Sequence, residues 1–279
     1  MTVTPDALLA LVERAMPGEG LSVDDLLGVC WDTEEGPSHV LGDEVAAASV
    51  AVRGEIGAVQ LLAVDPGARR EGRGRRLLDE ATAWAFDTGA AYVTIGAAPP
   101  WYLWAGIDLR WTPGLVLAES AGFRVHGAAV NLSCATSVRV PTPKGVTIRR
   151  VVDDEDAREV VDLCRRSFTP AWEKESARGI EHGACHAAFD DADGALLGFA
   201  AHSVNRAGWF GPTGVDPERQ RRGVGGPLLA ACLQDLQVAG FERCEISWIG
   251  PVGFYAKAVG AEVSRVFQLV GKSKRKHSP

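Results

Sequence analysis

Hydrophobic and polar residues follow two periods along the second half of the chain, and these periods predict both strands and helices. Short apolar runs bounded by turn residues predict strands at "GVTIRRV", "ACHAAFD", "LLGFAAHSV", "WFGPTGV", "CEISWI" and "AEVSRVFQLV". Helices are predicted at "DDEDAREVVDLCRRSF", with its acidic first turn, and at "PVGFYAKAV". A third helix ends at Gly240, and its apolar residues recur at helical spacing at Leu228, Leu229, Cys232, Leu233 and Leu236.

The first half shows a similar order of elements. Two helices are predicted at "PDALLALVERAM" and "SVDDLLGVCWDT", strands at "VAAASVAV", "AVQLLAV" and "YVTIGA", and a long helix after Gly74. Strands and helices in this order predict an α/β class with an α+β mixed sheet, not a doubly wound one. Each half is therefore expected to form a twisted mixed sheet flanked by helices.

A repeat with a fixed offset of 151 residues relates the two halves. The matched pairs are Val64 and Val215, Pro66 and Pro217, Gly72 and Gly223, Gly74 and Gly225, Gly57 and Gly208, Gly89 and Gly240, and Pro100 and Pro251. The segment "ATSVRVPTPKG" interrupts the pattern with two prolines and a glycine. The sequence thus predicts an N-terminal domain over residues 1–138 and a C-terminal domain over 145–279.

The first half carries an insertion that the second half lacks. Gly122 and Gly260 are 138 residues apart, so 13 extra residues lie in "PPWYLWAGIDLRWTP". Its tryptophans, together with Asp108 and Arg110, are typical of a loop that lines a ligand site, and equally of an apolar contact that joins the two halves.

Charge and cysteine content narrow the choice of partners. The net charge of -7 and the absence of a basic stripe argue against nucleic acid, and the basic tail "KSKRKHSP" is predicted to be a solvated terminus. The six cysteines form no CxxC pair and no cluster with histidine, so neither a metal site nor a disulfide framework is predicted. With no signal peptide and no apolar span of membrane length, a cytoplasmic protein without a membrane partner is expected. The sequence leaves the oligomeric state open.

Two segments, "VDPGARREGRGRRLL" and "VDPERQRRGVGGPLL", combine a strand end, a glycine turn and a helix start. Unpaired N–H groups and the helix dipole attract phosphate there, and the glycines let a diphosphate approach the backbone. Arginines would supply compensating charge. The predicted binding residues are Val64, Arg69, Arg70, Gly72, Arg73, Gly74 and Arg75 in the first half, and Val215, Gln220, Arg221, Arg222, Gly223, Val224, Gly225 and Gly226 in the second.

A site for a nicotinamide dinucleotide is the alternative interpretation of this pattern. The sequence fingerprint of such sites also begins with a GxG between a strand and a helix. Leu77 and Leu228 stand where the third glycine is expected, and no acidic residue ends the next strand. The repeated [RQ]-x-x-G-x-G after Val-Asp-Pro instead resembles the GNAT superfamily of CoA-dependent N-acetyltransferases, specifically its tandem two-domain members.

This resemblance implies a bulged fourth strand that splays from the fifth and leaves a slot for the pantetheine arm of acetyl-CoA. Gly211 and Pro212 interrupt a predicted strand and independently suggest such a bulge, whereas the first half has Leu61 in place of Pro212. The resemblance also implies a tyrosine acid for the departing thiolate, and Tyr255 is the matching candidate. It precedes Gly260 by five residues, where four are usual in the family, and a packing tyrosine is the alternative.

Ala118 stands where the first half should carry the tyrosine, so the second half is predicted to be catalytic, although Tyr102 is another acid to consider. Trp209 and Ala58 replace the strand glutamate that some family members carry. Glu245 and His202 are candidate bases, and each is alternatively structural, with Glu245 paired to Arg243. We therefore predict an acetyl-CoA-dependent N-acetyltransferase for a small-molecule primary amine. The alternative is a noncatalytic acyl-CoA-binding or sensing protein.

Overall fold

The computed structural model describes residues 3–220 and 222–274, which form two compact units. Within these residues, unit 1 comprises 3–129 and 266–274, and unit 2 comprises 130–220 and 222–265. The units follow spatial contacts rather than chain order, because the last strand of the chain begins in unit 2 and continues in unit 1. The domain boundary at 138–145 concerns the sequence repeat and stays a prediction.

Unit 1 opens with two helices and then builds its sheet. Its elements are α1 (Pro5–Ala15), α2 (Val23–Cys30), β1 (Ser38–Gly42), β2 (Ala46–Arg53), β3 (Ile56–Val64), α3 (Arg73–Asp87), β4 (Tyr92–Ile95), β5 (Ile107–Asp108), α4 (Thr112–Ser120) and the first part of β6 (Arg124–Ala135). β1 was not predicted, whereas both opening helices are confirmed.

Unit 2 begins in β6 and repeats the same order with its own additions. Its elements are β7 (Val146–Arg150), α5 (Asp154–Ser167), α6 (Pro170–Glu181), β8 (Cys185–Asp190), β9 (Leu196–His202), β10 (Trp209–Val215), α7 (Gly225–Val238), β11 (Arg243–Ile246), α8 (Val252–Val259) and the first part of β12 (Glu262–Ser273). α6 was not predicted.

Both sheets are mixed, as the sequence predicted. In unit 1 the strand order is β1–β2–β3–β4–β12, with β3 and β4 parallel and the other neighbours antiparallel. In unit 2 the order is β6–β11–β10–β9–β8–β7, with β10 and β11 parallel and the other neighbours antiparallel. Each unit therefore contains a single parallel pair, among the described strands.

The C-terminal strand extends further than the sequence predicted. Gly271, Lys272 and Ser273 of β12 pair with β4, and the Lys272 ammonium donates to the Ala121 carbonyl at 2.8 Å. The expectation of a solvated tail from residue 272 is therefore wrong for Lys272 and Ser273, because their main chain pairs with β4. The rest of the predicted tail, residues 275–279, lies outside the described residues.

Local sequence signals explain where four of the eight described α-helices begin. Thr4 starts α1 and Thr169 starts α6 with a side-chain bond to a backbone N–H, and in both helices proline follows directly. Ser22 and Asp25 form a reciprocal capping box at α2. Asp153 accepts from two N–H groups of α5.

Each unit buries its own apolar core between sheet and helices. In unit 2, α7 contributes a buried stripe that contains Leu228, Leu229 and Leu233, all with 0% of their surface exposed. In unit 1, Leu78 and Ala81 of α3 pack with the inner face of β2 and β3. Burial of this kind is the main favourable contribution to folding.

The α7 stripe gives a direct test of the core. Leu233→Ala should lower the free energy of unfolding by about 2–5 kcal/mol, because it removes a fully buried side chain and leaves a cavity. Val238→Ala on the same helix, at a side chain that is 84% exposed, should change it by less than about 0.5 kcal/mol. Urea denaturation of both variants measures this difference, and equal effects would contradict the assigned packing of α7.

Candidate functional site

In unit 2 the two parallel strands separate part-way along their length. β10 pairs with β11 at Trp209 and Glu245 and at Phe210 and Ile246, and the Ser247 N–H then donates to the Phe210 carbonyl at 3.4 Å. The register of β10 against β9 shifts between Phe210 and Thr213, so the predicted bulge at Gly211 and Pro212 is confirmed. A slot between strands begins at this point.

Unit 1 contains the same separation at the repeat-equivalent residues. β3 pairs with β4 from Ile56 to Val59, and the Gly96 N–H donates to the Val59 carbonyl at 2.9 Å. Ser49 faces Leu61 and Val50 faces Val59 across β2, so Gln60 is the extra residue of a bulge. The first half therefore has a bulge even though Leu61 replaces proline.

Below each slot, a helix starts at a glycine bend. Gly72 and Gly223 have left-handed backbones, with φ of 78° and 71°. Neither α3 nor α7 receives a side-chain cap from the described residues, in contrast to the four capped helices above. Pro227 in the first turn of α7 has no N–H to satisfy. The first N–H groups of a helix have no intrahelical partner, so the proposal that these bends bind phosphate through main-chain donors stays a prediction.

At the second glycine of each bend, side chains of the same unit limit the space for a Cβ. A Cβ at Gly225 would lie 3.1 Å from the Phe254 ring, and one at Gly74 would lie 3.4 Å from both Leu117 and Val64. The first N–H groups of a helix point along its axis, whereas a Cβ projects sideways. These contacts therefore limit the space beside the helix. They do not change the direction in which its first N–H groups point.

Most of the predicted phosphate-binding arginines have partners within the protein. Arg73 pairs with Glu71 at 3.0 Å, Arg75 pairs with Asp79 at 2.7 Å, and Arg222 pairs with Asp190. Arg69 donates to the carbonyls of Val64 and Ala15.

Two further residues of the predicted binding set, Arg70 and Gln220, are described here by their backbone conformation. Arg70 has a left-handed backbone with φ of 69°, and Gln220 is extended. Arg221 lies outside the described residues. Since most of these guanidinium groups already have partners, the main chain of the bends stays the main predicted contact for an anion.

Tyr255 lies beside the slot of unit 2. Its ring packs edge-on against Phe210, the last paired residue of β10, at 6.3 Å between ring centroids, and against Phe254 at 4.9 Å. Only 7% of its surface is exposed. Burial raises the pKa of the Tyr255 hydroxyl to about 12, so this group holds its proton at neutral pH.

The structure places His202 in a separate buried cluster. Its Nε2 lies 3.1 Å from Asp235 Oδ2, and the same carboxylate binds His186 at 2.7 Å and Arg150 at 2.7 Å. Burial lowers the pKa of His202, and the Asp235 carboxylate opposes this effect. Asp235 lies ten residues into α7, about 15 Å along the helix from the glycine bend.

Glu245 lies one residue before the last paired position of β11. Its Oε1 accepts from Asn131 Nδ2 at 2.5 Å, and the Arg265 guanidinium lies 4.0 Å away. Asn131 also accepts from the Trp248 N–H at 2.8 Å. The alternative partner considered from sequence, Arg243, donates instead to Ser133. Tyr255, His202 and Glu245 therefore have different neighbours, and their catalytic roles stay predictions.

Glu175 is a buried carboxyl group that the sequence analysis missed. It lies on α6 with 5% of its surface exposed, and Asn205 Nδ2 donates to its Oε1 at 3.1 Å. Burial raises the pKa of Glu175 to about 8, while the hydrogen bond from Asn205 and the charge of Arg178 oppose this rise. The available signal was Thr169 followed by proline, which marks the start of α6.

The aromatic insertion of the first half lies within unit 1 and closes one side of its slot. Trp104 and Trp111 pack edge-on at 5.1 Å between ring centroids, and both line a cavity between β3 and β4. Trp104 Nε1 donates to Glu19 at 2.8 Å, and the Arg110 guanidinium donates to both carboxylate oxygens of the buried Asp108. The insertion therefore lines this cavity, and its role in binding a ligand stays a prediction.

A glycine bend beside a pair of separating parallel strands, found in both units, defines the class of this protein as an acyltransferase. The model of the acetyltransferase (GNAT) family matches residues 13–100 and 155–260. The chain belongs to this family. The predictions of the family, of the mixed-sheet fold and of an acyltransferase are therefore confirmed.

Relatives of known name or structure agree with this assignment. The chain is 30% identical over 272 residues to the mycothiol acetyltransferase of Clavibacter michiganensis subsp. michiganensis (strain NCPPB 382), covering 87% of this chain and 83% of that protein. A GCN5-related N-acetyltransferase from Sphaerobacter thermophilus has a TM-score of 0.72 at 20% identity, covering 98% and 94% of the two chains. A tandem GNAT protein from the clavulanic acid biosynthesis pathway has a TM-score of 0.73 at 18% identity, with the same coverage. The two solved structures are similar in fold.

Across residues 3–220 and 222–274, each helix is too short or too polar to cross a bilayer.

The buried Glu175 predicts a pH-dependent contribution to stability. Its pKa is raised from 4.5 to about 8 by folding, so the folded state retains a proton that the unfolded state loses. The free energy of unfolding should therefore fall as pH rises from about 4.5 to about 8. Glu175→Gln should flatten this slope, whereas Glu181→Gln, at an exposed site of the same helix, should not. Chemical denaturation at pH 5, 6.5 and 8 measures the slopes, and parallel curves for all three proteins would refute the assignment.

Proposed function

We propose that the protein is an acetyl-CoA-dependent N-acetyltransferase that acts on a small-molecule primary amine, with transfer in unit 2. The observation that supports this choice is the position of Tyr255 beside the end of strand pairing at Phe210. In unit 1, Leu117 precedes Gly122 by five residues, as Tyr255 precedes Gly260, and it has no proton to donate. Of these two equivalent positions, only the one in unit 2 carries a proton donor, and this difference favours transfer in unit 2.

The residues of unit 2 fit the requirements of acyl transfer from a thioester. Acetyl-CoA supplies an acetyl group that is activated as its thioester. The N–H groups at the start of α7 would bind the diphosphate oxygens, with the helix dipole adding favourable potential. Gly223, with its positive φ, lets the main chain turn toward the helix start at this point.

Transfer forms a C–N bond to the amine and breaks the C–S bond. Tyr255 would donate its hydroxyl proton to the departing sulfur, which its raised pKa allows because the proton is present at neutral pH. The attacking amine must lose one proton. Of the two candidate bases, we propose Glu245, because it lies one residue before the slot, whereas His202 faces Asp235 further along α7.

The class of acceptor is proposed from the relatives. Both Clavibacter proteins are named mycothiol acetyltransferases, and the alignments cover 83% of each of them. We propose an amine of comparable small-molecule character for this chain. An assay of amine-dependent thiol release over a panel of such amines tests this, and acetyl-CoA binding without release for every amine would favour the noncatalytic alternative.

Replacement of the proposed acid should separate chemistry from binding. Tyr255→Phe should lower kcat about 100-fold or more, because the sulfur then departs without a proton donor, while KM for acetyl-CoA changes little. Tyr92→Phe, at a tyrosine in β4 of unit 1, is the control and should retain activity. A Tyr102→Phe variant completes the comparison. If that variant loses kcat and Tyr255→Phe does not, transfer occurs elsewhere than proposed.

The two glycine bends allow a matched test of which unit transfers. Gly223→Glu and Gly72→Glu place the same side chain at positions with similar positive φ, so their backbone strain should be comparable. We expect Gly223→Glu to abolish turnover, because its carboxylate repels phosphate at the start of α7, and Gly72→Glu to retain it. Steady-state rates with thermal unfolding of both variants provide the measurement. The reverse pattern would move transfer to unit 1.

A further inference from the structure

Asn131 of β6 is a buried amide beside the proposed base of unit 2. None of its surface is exposed, and both ends of its side chain have partners. Its Nδ2 donates to Glu245 Oε1 at 2.5 Å, and its Oδ1 accepts from the Trp248 N–H at 2.8 Å. One side chain therefore contacts both the proposed base and the loop that follows β11.

The register of β6 against β11 explains this double contact. Ser133 lies opposite Glu245, and β11 ends at the next residue. Asn131 lies on the same face of β6 as Ser133 and is the diagonal neighbour of Glu245. Beyond the ladder, Trp248 has a left-handed backbone with φ of 42°, which is unusual for a residue other than glycine. The Asn131 amide supplies an acceptor for its N–H at a point where the ladder no longer does.

The charged groups that the neighbouring strands place around Glu245 are cations. From β12, the Arg265 guanidinium lies 4.0 Å from Glu245 Oε1. From β10, Trp209 lies opposite Glu245, and the Arg206 guanidinium stacks over the Trp209 ring at 4.5 Å from its centroid. On β11 itself, Arg243 donates to a serine of β6. A carboxylate introduced at position 131 would therefore add the opposite charge to these surroundings.

The uncharged neighbours of Glu245 leave it as the proposed base. Ser133, directly opposite on β6, carries a neutral hydroxyl. Cys244 precedes Glu245, and its hydrogen bond with Cys134, together with burial, raises the pKa of its thiol well above the ordinary value. This thiol therefore keeps its proton at neutral pH.

Unit 1 has different side chains at the repeat-equivalent positions. The sequence offsets of 151 and 138 residues place Thr94 at the position of Glu245 and Leu269 at that of Asn131. Both sheets agree with this correspondence, because the residue two positions after Leu269 lies opposite Thr94, as the residue two positions after Asn131 lies opposite Glu245. A threonine and a leucine provide neither a carboxylate nor an amide. The buried amide therefore accompanies the proposed base rather than the shared fold.

We infer that Asn131 is a positioning residue for acyl transfer in unit 2, because its Nδ2 orients Glu245 through Oε1 and directs Oε2 to the acceptor nitrogen. The inference rests on the proposed function, in which Glu245 is the base. One proton moves from the acceptor nitrogen to Oε2, so an N–H bond breaks and an O–H bond forms. The donated hydrogen bond also favours the ionised carboxylate, which is the form that accepts this proton.

Two substitutions at position 131 separate the contacts of this amide. Asn131→Asp keeps an oxygen for the Trp248 N–H but replaces the donor to Glu245 with a carboxylate, which disfavours a second ionised carboxylate nearby. Asn131→Leu introduces the side chain that unit 1 carries at this position and removes both contacts. Ser133→Ala is the matched control, because it lies on the same face of β6 and leaves the hydrogen bond to Glu245 in place.

The pH dependence of kcat/KM, with the fastest amine of the panel described above, measures the effect on the base. We expect Asn131→Asp to move the acid limb of this profile up by about 1 pH unit, which lowers the rate on that limb about 10-fold. KM for acetyl-CoA should stay unchanged, and Ser133→Ala should follow the wild type. A purely structural defect lowers the rate at every pH without moving the limb. An unmoved limb in Asn131→Asp would therefore overturn the inferred role.

Nuclear magnetic resonance reports on the same contacts without an acceptor. With 13C at the side-chain carboxyl carbon of glutamate, the Glu245 resonance is assigned by its loss in Glu245→Gln. Its titration midpoint should rise by about 1 pH unit in Asn131→Asp. Hydrogen exchange of the Trp248 amide should stay slow in Asn131→Asp and become about 10-fold faster in Asn131→Leu. Equal exchange in Asn131→Leu and the wild type would contradict the contact with this loop.

The outcomes also separate this inference from the proposed function. If the Glu245 midpoint rises in Asn131→Asp while the wild type acetylates no amine, the action of Asn131 on Glu245 stands and transfer is refuted. If the wild type acetylates an amine and Asn131→Asp has the same pH profile, transfer stands and the positioning role of Asn131 is refuted.

Discussion

Both units share one interruption of main-chain hydrogen bonding between parallel strands. Two parallel strands share their ladder up to Val59 in unit 1 and Phe210 in unit 2, and a bulge then separates them. A closed ladder would leave no space between the strands, and an unpaired edge would be costly if it were buried without a partner. The slot, the adjacent helix start and the chemistry of each unit follow from this local break.

The two units show how one scaffold can carry different side chains at equivalent positions. Their backbones place a bulge, a slot and an uncapped helix at repeat-equivalent positions, yet the side chains that meet there differ. Unit 2 has a buried tyrosine and small residues at its bulge, whereas unit 1 has Gln60 at the bulge and Leu117 near the slot. Proton transfer needs a titratable group at the reacting atoms. The repeated fold therefore does not imply a repeated reaction.

Charged groups in unit 2 are largely committed to one another. Asp235 binds two imidazoles and a guanidinium, and hydrogen bonds and charge from His186 and Arg150 keep the pKa of Asp235 low although burial raises it. Arg222 and Asp190 form another such pair. The donors predicted to bind an anion near the bend are therefore main-chain N–H groups, whose direction is set by the helix axis and does not depend on flexible side chains.

The sequence alone determined the repeat, the mixed sheets, the glycine bends, the bulge at Pro212 and the family. These features depend on local periodicity and on residues with restricted backbones, such as glycine and proline, which can be recognised within a short window. The first-half bulge at Gln60 and the helix α6 lacked so strong a local signal.

Only the tertiary structure decided which side chains meet. The pairing of Asn131 with Glu245 joins residues 114 positions apart, and the contact of His202 with Asp235 joins a strand to a helix. Such contacts depend on strand register and helix packing, which place residues from separate segments side by side. The burial of Glu175 and of Gln60 arises in the same way, because the solvent exposure of a polar side chain is a property of its neighbours in space and not of its neighbours in sequence.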